Sequence, residues 1–389
     1  MIKTKKRIDL LSIVTGFLLL LALQPYFVWG FSNYMMLLVL IAPIAPMAYK
    51  LDINKEKHLF LLFFFILFSN AIIHNFNFVY IIYLLMFVFI PFCQKDYANN
   101  TFDAFRNVIA IIFAFSLIEY LYVVLLGREL PGYILSPLNE LKQYDYTVYP
   151  PLLVVSNTFL ETIRFLAVFD EPGVVGTVSM LILFVEDYKL KNICNIIVFI
   201  AGIFSFSFFF YVATLLYWGI RYGKNNIRYI LFFFVASCVF YVATKDNPVL
   251  DELVYSRFEY DKDKGTLAGI NRSSDKLDSY YDKIKGTWGY FWGVDVENLD
   301  DYGSTSSYKT EVLRYGMVFC VLYVVFFMFL ARHRRLSLTD FLLLSVMILG
   351  TLYQRPRFFD VVFVYLFSQF IVAHARFING KSVDRLSIK

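Results

Sequence analysis

The chain has 389 residues, of which 59% are hydrophobic and only 17% are charged. Soluble domains carry about 25% charged residues, so this composition excludes an ordinary soluble domain. The formal net charge is +5, and the basic residues fall between apolar runs, where they orient a membrane protein. The charge therefore gives no indication of a nucleic-acid partner.

The apolar runs are the predicted elements, since a run of about 17–25 residues spans a bilayer as a helix. We predict an all-α, polytopic membrane protein with about twelve transmembrane helices in one transmembrane domain over residues 1–389. The predicted spans, in chain order, are 9–28, 34–49, 58–74, 76–92, 107–127, 172–186, 193–205, 207–220, 228–244, 310–331, 337–353 and 357–374.

The basic residues predict the orientation of these spans. With the N-terminus inside, short cytoplasmic segments hold more than half of the 36 Lys and Arg residues, as the positive-inside rule requires. The assignment depends on the apolar stretch 193–220, which as one helix would put Arg221 and every later basic cluster outside. We therefore expect two short helices, broken near Ser205 and Ser207 and tilted or only partly crossing the bilayer. Both termini are then cytoplasmic.

Two polar regions face outward in this topology, residues 128–171 and residues 245–309. A plain connector has only a few residues, so the second region is predicted to be a lid or a binding platform. It contains Tyr281, Trp288 and Trp292, and aromatic faces among carboxylates suit sugar rings. The alternative is a subdomain that only covers the helices.

The first outward region ends in a charged sequence at the start of the 172–186 helix. Arg164 is followed by Asp170, Glu171 and Pro172, and proline suits the first turn of a helix. Glu171 then lies near the N-cap, where the helix dipole favours a negative charge and where a phosphate could also bind. The alternative is a simple helix cap in which Arg164 pairs with Asp170. Further along this helix, Gly173 and Gly176 lie three residues apart, which would let other groups approach the backbone closely.

Six arginines lie outside or at the outer edge in the predicted topology. Guanidinium groups bind phosphate in a bidentate manner, which lysine cannot do. Their convergence would indicate an anionic ligand such as pyrophosphate; the alternatives are phospholipid headgroups and salt bridges between loops. They are Arg164, Arg257, Arg272, Arg314, Arg355 and Arg357.

Other chemistries find little support. The four cysteines lie in or beside apolar runs, so no disulfide framework is indicated. No Cys/His cluster has zinc-site spacing, and no phosphate-binding glycine loop is present. Residues 245–309 contain no histidine, so a Ser-His-Asp site has no external base there. We expect no cofactor and no metal. Glu119 and Asp360 lie inside predicted spans, where carboxylates are functional candidates or partners for the outer arginines.

The chain resembles the Wzy-type O-antigen and capsule repeat-unit polymerases, through short motifs that cover most of residues 160–320. The motifs are Arg164…Glu171-Pro172…Gly176, then Phe204-Ser205-Phe206-Ser207, then Arg257 and Arg272 followed by Trp292-Gly293, and finally Arg314-Tyr315-Gly316.

The resemblance implies a GT-C-like glycosyltransferase that needs no metal. It would polymerise oligosaccharide repeat units carried on undecaprenyl pyrophosphate, at the outer face of a bacterial inner membrane and with its active site toward the periplasm. Its partners would be these lipid-linked glycans and the bilayer, together with a flippase and a chain-length regulator.

The residue roles follow as hypotheses. Arg164, Arg272 and Arg314, with Arg355 or Arg357, would bind the departing pyrophosphate, and Arg257 would contact substrate. Glu171, or alternatively Asp170, would orient or deprotonate the acceptor hydroxyl, while the aromatic residues of the platform would hold sugar rings. O-antigen ligases share the fold implied by the resemblance, but their large loop typically carries a functional histidine. A polysaccharide flippase or other transporter is the alternative from a different class, and it would place its charges deeper in the membrane.

Overall fold

The structure is a computed structural model that describes residues 9–54, 56–73, 87–135, 145–156, 164–223, 260–261, 266–267, 273–294, 302, 307–355 and 360–375. The predicted span 228–244, most of span 76–92, and Arg257, Arg272 and Arg357 lie outside these residues.

The described chain is mostly helical, as predicted. Its helices are α1 Leu10–Ala22, α2 Asn33–Ile41, α3 Ile44–Tyr49, α4 Lys57–Ile73, α5 Lys95–Tyr120, α6 Pro172–Val185, α7 Ile193–Phe204, α8 Phe208–Tyr222, α9 Asp275–Ile284, α10 Trp288–Trp292, α11 Tyr308–Tyr315, α12 Met317–His333, α13 Leu338–Gln354 and α14 Val361–His374. The strands are β1 Tyr133–Leu135, β2 Tyr146–Tyr149, β3 Leu153–Ser156, β4 Tyr260–Asp261 and β5 Thr266–Leu267.

Few of the described helices reach the length of a full membrane span. One helix, Lys95–Val124, is long and apolar enough to cross a membrane, and a second qualifies if α11 and α12 are taken together as one bent span. Seven further apolar helices have 10–17 residues. The predicted helical class is therefore confirmed, whereas the count of about twelve transmembrane helices stays a prediction.

Helix α6 lies at the centre of the fold, and every one of its residues is buried. A helix that is apolar on all sides is stable only when other elements enclose it. Helices α7, α8, α13 and α14 pack against it, and α14 is itself buried from Val361 to Val372. Helices α1 and α5 form a second packed pair, and α5 also contacts α7.

The predicted interruption of the 193–220 stretch is present. Helix α7 ends at Phe204 and α8 begins at Phe208, and Phe206 between them has a positive φ of 47°. Both helices pack against α6, and Arg221 near the end of α8 contacts Asp187, just beyond the end of α6. The prediction for α5 was less accurate, since the helix begins at Lys95 rather than at 107, well inside the polar segment.

At the C-terminal end of α6, ion pairs connect the helices of the bundle. Glu186 accepts from Arg106 at 2.8 Å, and Arg221 contacts both Asp187 and Asp340, the latter at 2.7 Å. Burial by itself raises the pKa of the Asp187 carboxyl, but the Tyr217 hydroxyl and Arg221 bring it below its ordinary value. The stabilisation from this carboxylate is therefore complete at neutral pH and is lost as the pH falls through the lowered pKa.

Small strands and short helices lie toward the opposite end. Strands β1, β2 and β3 form an antiparallel sheet in that order, and a small apolar cluster of Trp29, Tyr146, Val148, Val154 and Leu166 joins this sheet to the segment before α6. Helices α11 and α12 meet at an angle of 106°. Gly316 permits this bend because its φ is +83°, a conformation that side chains rarely tolerate.

Arg221→Ala should destabilise the fold, because it leaves the carboxylates of Asp187 and Asp340 without their shared cation. Removing one partner of a buried pair costs about 3 kcal/mol or more, and the Asp340 side chain is only 3% exposed. Thermal unfolding of the purified protein measures the effect, with the exposed Arg332→Ala as the matched control. An unchanged Tm in Arg221→Ala would contradict this account of the cluster.

Candidate functional site

The segment before α6 is rigidly held, although it has no regular secondary structure. Residues 165–169 are fully buried, so their backbone groups need partners. The Phe165 amide donates to Phe204, Val154 donates to Ala167, and Tyr26 donates to Val168. Because three separate parts of the chain bind this segment, the charged residues at its two ends have fixed positions.

Glu171 and Arg355 form an ion pair at the N-terminus of α6. Glu171 is the N-cap residue, as predicted, but its side chain makes no capping hydrogen bond. Instead its Oε2 accepts from Nη2 of Arg355, which lies at the C-terminal end of α13. The structure thus joins a predicted catalytic residue to a predicted substrate-binding residue.

Gly173 gives the Arg355 guanidinium room to lie against the first turn of α6. A Cβ at this position would lie 2.8 Å from Nη2 of Arg355 and 3.4 Å from its Nε, so a side chain here would displace the guanidinium. The predicted close approach to Gly173 is therefore confirmed.

Gly176 likewise lets the break between α7 and α8 approach the backbone of α6 closely. A Cβ there would lie 2.3 Å from the Cβ of Ser207 and 3.0 Å from the Oγ of Ser205. The first two turns of α6 therefore contact Arg355 at one glycine and the α7–α8 break at the other.

Arg164 lies beside that same break and is 8% exposed. Its guanidinium donates long hydrogen bonds to the carbonyls of Ser205 and Phe206, at 3.4 and 3.5 Å. Carbonyls at the C-terminal end of a helix lack intrahelical donors and attract cations. Arg164 thus helps to hold the end of α7 against α6, in addition to any contact with a ligand.

Asp170 is partly exposed, and its backbone carbonyl accepts from the Tyr146 hydroxyl at 3.2 Å. The sheet therefore fixes the backbone of the second predicted carboxylate beside Glu171. Asp360 has a clear structural role, because its carboxylate caps α14 through the amides of Val362 and Phe363 at 2.9 and 3.1 Å.

Glu119 lies near the C-terminal end of α5, just before a turn of π-helix, Leu121–Leu125. Its Oε2 is buried and has no hydrogen-bond partner. Turns of π-helix occur frequently at functional sites, so Glu119 stays a candidate functional residue. It is not part of the Glu171–Arg355 pair.

The motifs that carry the resemblance contact one another in two pairs. Residues 164–176 contact the α7–α8 break, as described above. In the second pair, a Cβ at Gly316 would lie 2.5 Å from the carbonyl oxygen of Phe291, and the Val294 amide donates to Leu313 at 2.8 Å. Helix α13 links the two pairs, because Tyr353 stacks on Tyr308 of α11 with ring centroids 5.9 Å apart.

Arg314 is exposed on α11, so its guanidinium is accessible from solvent. The aromatic residues predicted to hold sugars divide into two groups. Trp288 is 77% exposed and lies 5.6 Å from Trp292, measured between ring centroids. Tyr281 is only 6% exposed and packs on Tyr290, and its burial raises the pKa of its hydroxyl. Tyr281 therefore packs inside this region and does not offer an exposed aromatic face.

The described residues contain no group of three or more His, Cys, Asp or Glu side chains that could hold a metal ion. A scan of protein-family models and searches of curated proteins and of solved structures found no match to this chain. A guanidinium and a helix N-terminus both attract anions, and the adjacent carboxylate can accept a proton or a hydrogen bond.

Gly176→Ala should destabilise the protein, because the new methyl group would overlap Ser207. Overpacking of this kind costs about 1–3 kcal/mol. Gly219→Ala on α8 is the matched control, since a Cβ there meets nothing within 4 Å and alanine favours a helix by about 1 kcal/mol. We expect Gly176→Ala to lower the Tm and Gly219→Ala to maintain or raise it; the same Tm in both variants would refute the close contact.

Proposed function

We propose that the chain is a multi-pass protein of a bacterial cytoplasmic membrane, with about twelve transmembrane helices and an outward-facing site. Its function is to polymerise oligosaccharide repeat units carried on undecaprenyl pyrophosphate. The observation that carries the proposal is the Glu171–Arg355 ion pair at the N-terminus of α6, because it combines an anion-binding group with a carboxylate.

The orientation is supported by the charged residues at the two ends of α6. The basic residues that pair at the end of α6, Arg106 and Arg221, belong to segments that the positive-inside rule assigns to the cytoplasm. The Glu171–Arg355 pair lies at the opposite end of this helix, which corresponds to the outer face.

The reaction needs an anionic leaving group and an acceptor hydroxyl. The hydroxyl oxygen of the acceptor sugar forms a bond to the anomeric carbon of the donor, and the bond from that carbon to the pyrophosphate oxygen breaks. The electron pair of the broken bond leaves with the pyrophosphate, where Arg355, together with Arg314 and Arg164, stabilises its charge. The hydroxyl proton passes to Glu171 or Asp170.

Glu171 is better suited to orienting the hydroxyl than to acting as a strong base. An arginine partner and a helix N-terminus both stabilise a carboxylate in its charged form. Its side chain is 53% exposed, so an acceptor sugar can reach it. Trp288, with Trp292 beside it, offers an aromatic face for the sugar rings of the same substrate.

A polymer-length assay tests the proposed function. Arg355→Gln should reduce the rate of polymer formation from lipid-linked repeat units about 100-fold or more, as loss of a charge-stabilising donor does. Glu171→Gln should reduce it about tenfold or more. The matched control is Arg128→Gln, which changes an exposed arginine and should keep normal activity.

The same assay separates the alternatives. A polymerase leaves single lipid-linked units on the outer face when it is inactivated. Full-length polymer retained on its carrier would indicate a ligase instead, and units trapped on the inner face would indicate a flippase. Normal polymer from well-folded Arg355→Gln protein would refute the proposed site.

Trp288→Ala should weaken substrate binding while it leaves the chemical step intact. Loss of a stacking face costs about 1 kcal/mol, which corresponds to a KM increase of about fivefold to tenfold with little change in kcat. Tyr34→Ala, which removes an aromatic side chain that is 83% exposed, is the control. An unchanged KM in Trp288→Ala would remove this residue from the sugar site.

A further inference from the structure

The two partners of the Glu171–Arg355 pair differ greatly in burial. The Arg355 side chain is 10% exposed, whereas the Glu171 side chain is 53% exposed. The arginine is therefore a fixed part of the protein interior. Solvent already reaches the glutamate side chain, so it is the partner more able to leave.

The pair uses only half of the binding edge of the guanidinium. A single carboxylate oxygen of Glu171 accepts from Nη2, and the adjacent Nε is buried without any hydrogen-bond partner. Nε and Nη2 lie on one edge of the guanidinium, the geometry that binds two oxygens of a phosphate at once. A side chain at position 173 would lie against this same edge, so the glycine leaves the edge uncovered.

A small cavity of about 20 Å³ lies beside the arginine. It has room for about one water molecule, so a phosphate cannot bind there unless Glu171 moves aside. Its lining is largely apolar, and Asp360 lies at its border but is engaged in capping α14. The lining residues are Ala22, Leu23, Val174, Arg355, Asp360 and Phe363. The Nε of Arg355 is therefore a buried hydrogen-bond donor that Glu171 does not use.

We propose that Glu171 occupies the place of a ligand phosphate on Arg355 in the empty protein. An arriving pyrophosphate takes Nη2 from Glu171 and also engages Nε, so that two hydrogen bonds replace one. Glu171 then turns outward with its carboxylate free to accept from the acceptor hydroxyl. This inference rests on the proposed function for its ligand, and it adds a coupling: the donor releases the residue that positions the acceptor.

Binding of inorganic pyrophosphate to the protein in zwitterionic nanodiscs tests the exchange by calorimetry. Glu171→Ala should bind about tenfold more tightly than the unaltered protein, because its internal competitor is gone. Glu129→Ala removes the same charge from an exposed outer residue, and it should tighten binding far less. Equal affinities in Glu171→Ala and Glu129→Ala would overturn the proposal.

A double variant guards against a general charge effect. Arg355→Gln should weaken binding at least about tenfold, and adding Glu171→Ala to it should bring no further tightening, since the two residues act on one site. If the tightening persists without Arg355, the exchange is refuted. Should Arg355→Gln fail to fold, Arg355→Lys replaces it, because lysine lacks the two-donor edge and should lose the same tightening.

The source of the phosphate is tested with farnesyl pyrophosphate placed in the same nanodiscs. A site for a membrane-borne carrier should bind this lipid at least about tenfold more tightly than inorganic pyrophosphate, and equal affinities would contradict a lipid source. The exchange and the proposed function can fail separately. The binding pattern without any polymer formation would refute only the polymerase, and polymer formation without the pattern would refute only the exchange.

Discussion

The complete burial of α6 is the constraint on which the rest of the structure depends. Each residue from Pro172 to Val185 is buried, so no charge can lie along the helix and the flanking charges must find partners at its ends. At one end Arg106 and Arg221 meet Glu186 and Asp187. At the other end, Arg355 meets Glu171. The same burial that fixes the helix therefore gathers charge at its two ends.

The two ends of α6 are chemically different, and this difference gives the N-terminal end its proposed role. At the C-terminal end, Arg221 is shared between two carboxylates, which suits a permanent connection between helices. At the N-terminal end, one carboxylate oxygen meets an arginine that still has a buried free donor. The helix N-terminus adds further attraction for anions at that end. The Glu171–Arg355 pair therefore suits an anionic ligand, whereas the Arg221 cluster holds the bundle together.

The sequence predicts the helical class and the break at Ser205–Ser207, because apolar runs and basic residues report directly on membrane topology. It also predicts that Glu171 and Arg355 face outward, but not that they pair, since packing must bring together residues 184 positions apart. Arg164 was expected to bind a ligand. The sequence predicts the break at the end of α7 but not that Arg164 donates to it, since packing must bring together residues 41 positions apart. Tyr281 follows Leu277 by one helical turn, so the two side chains share one helix face. This spacing with an apolar residue indicates the burial of Tyr281.

The most direct test is an experimental structure of the protein in a bilayer with a prenyl pyrophosphate bound. Our account predicts phosphate oxygens about 3 Å from both Nε and Nη2 of Arg355, with the Glu171 carboxylate turned away from the guanidinium. A pyrophosphate bound elsewhere, with the Glu171–Arg355 pair intact, would contradict it.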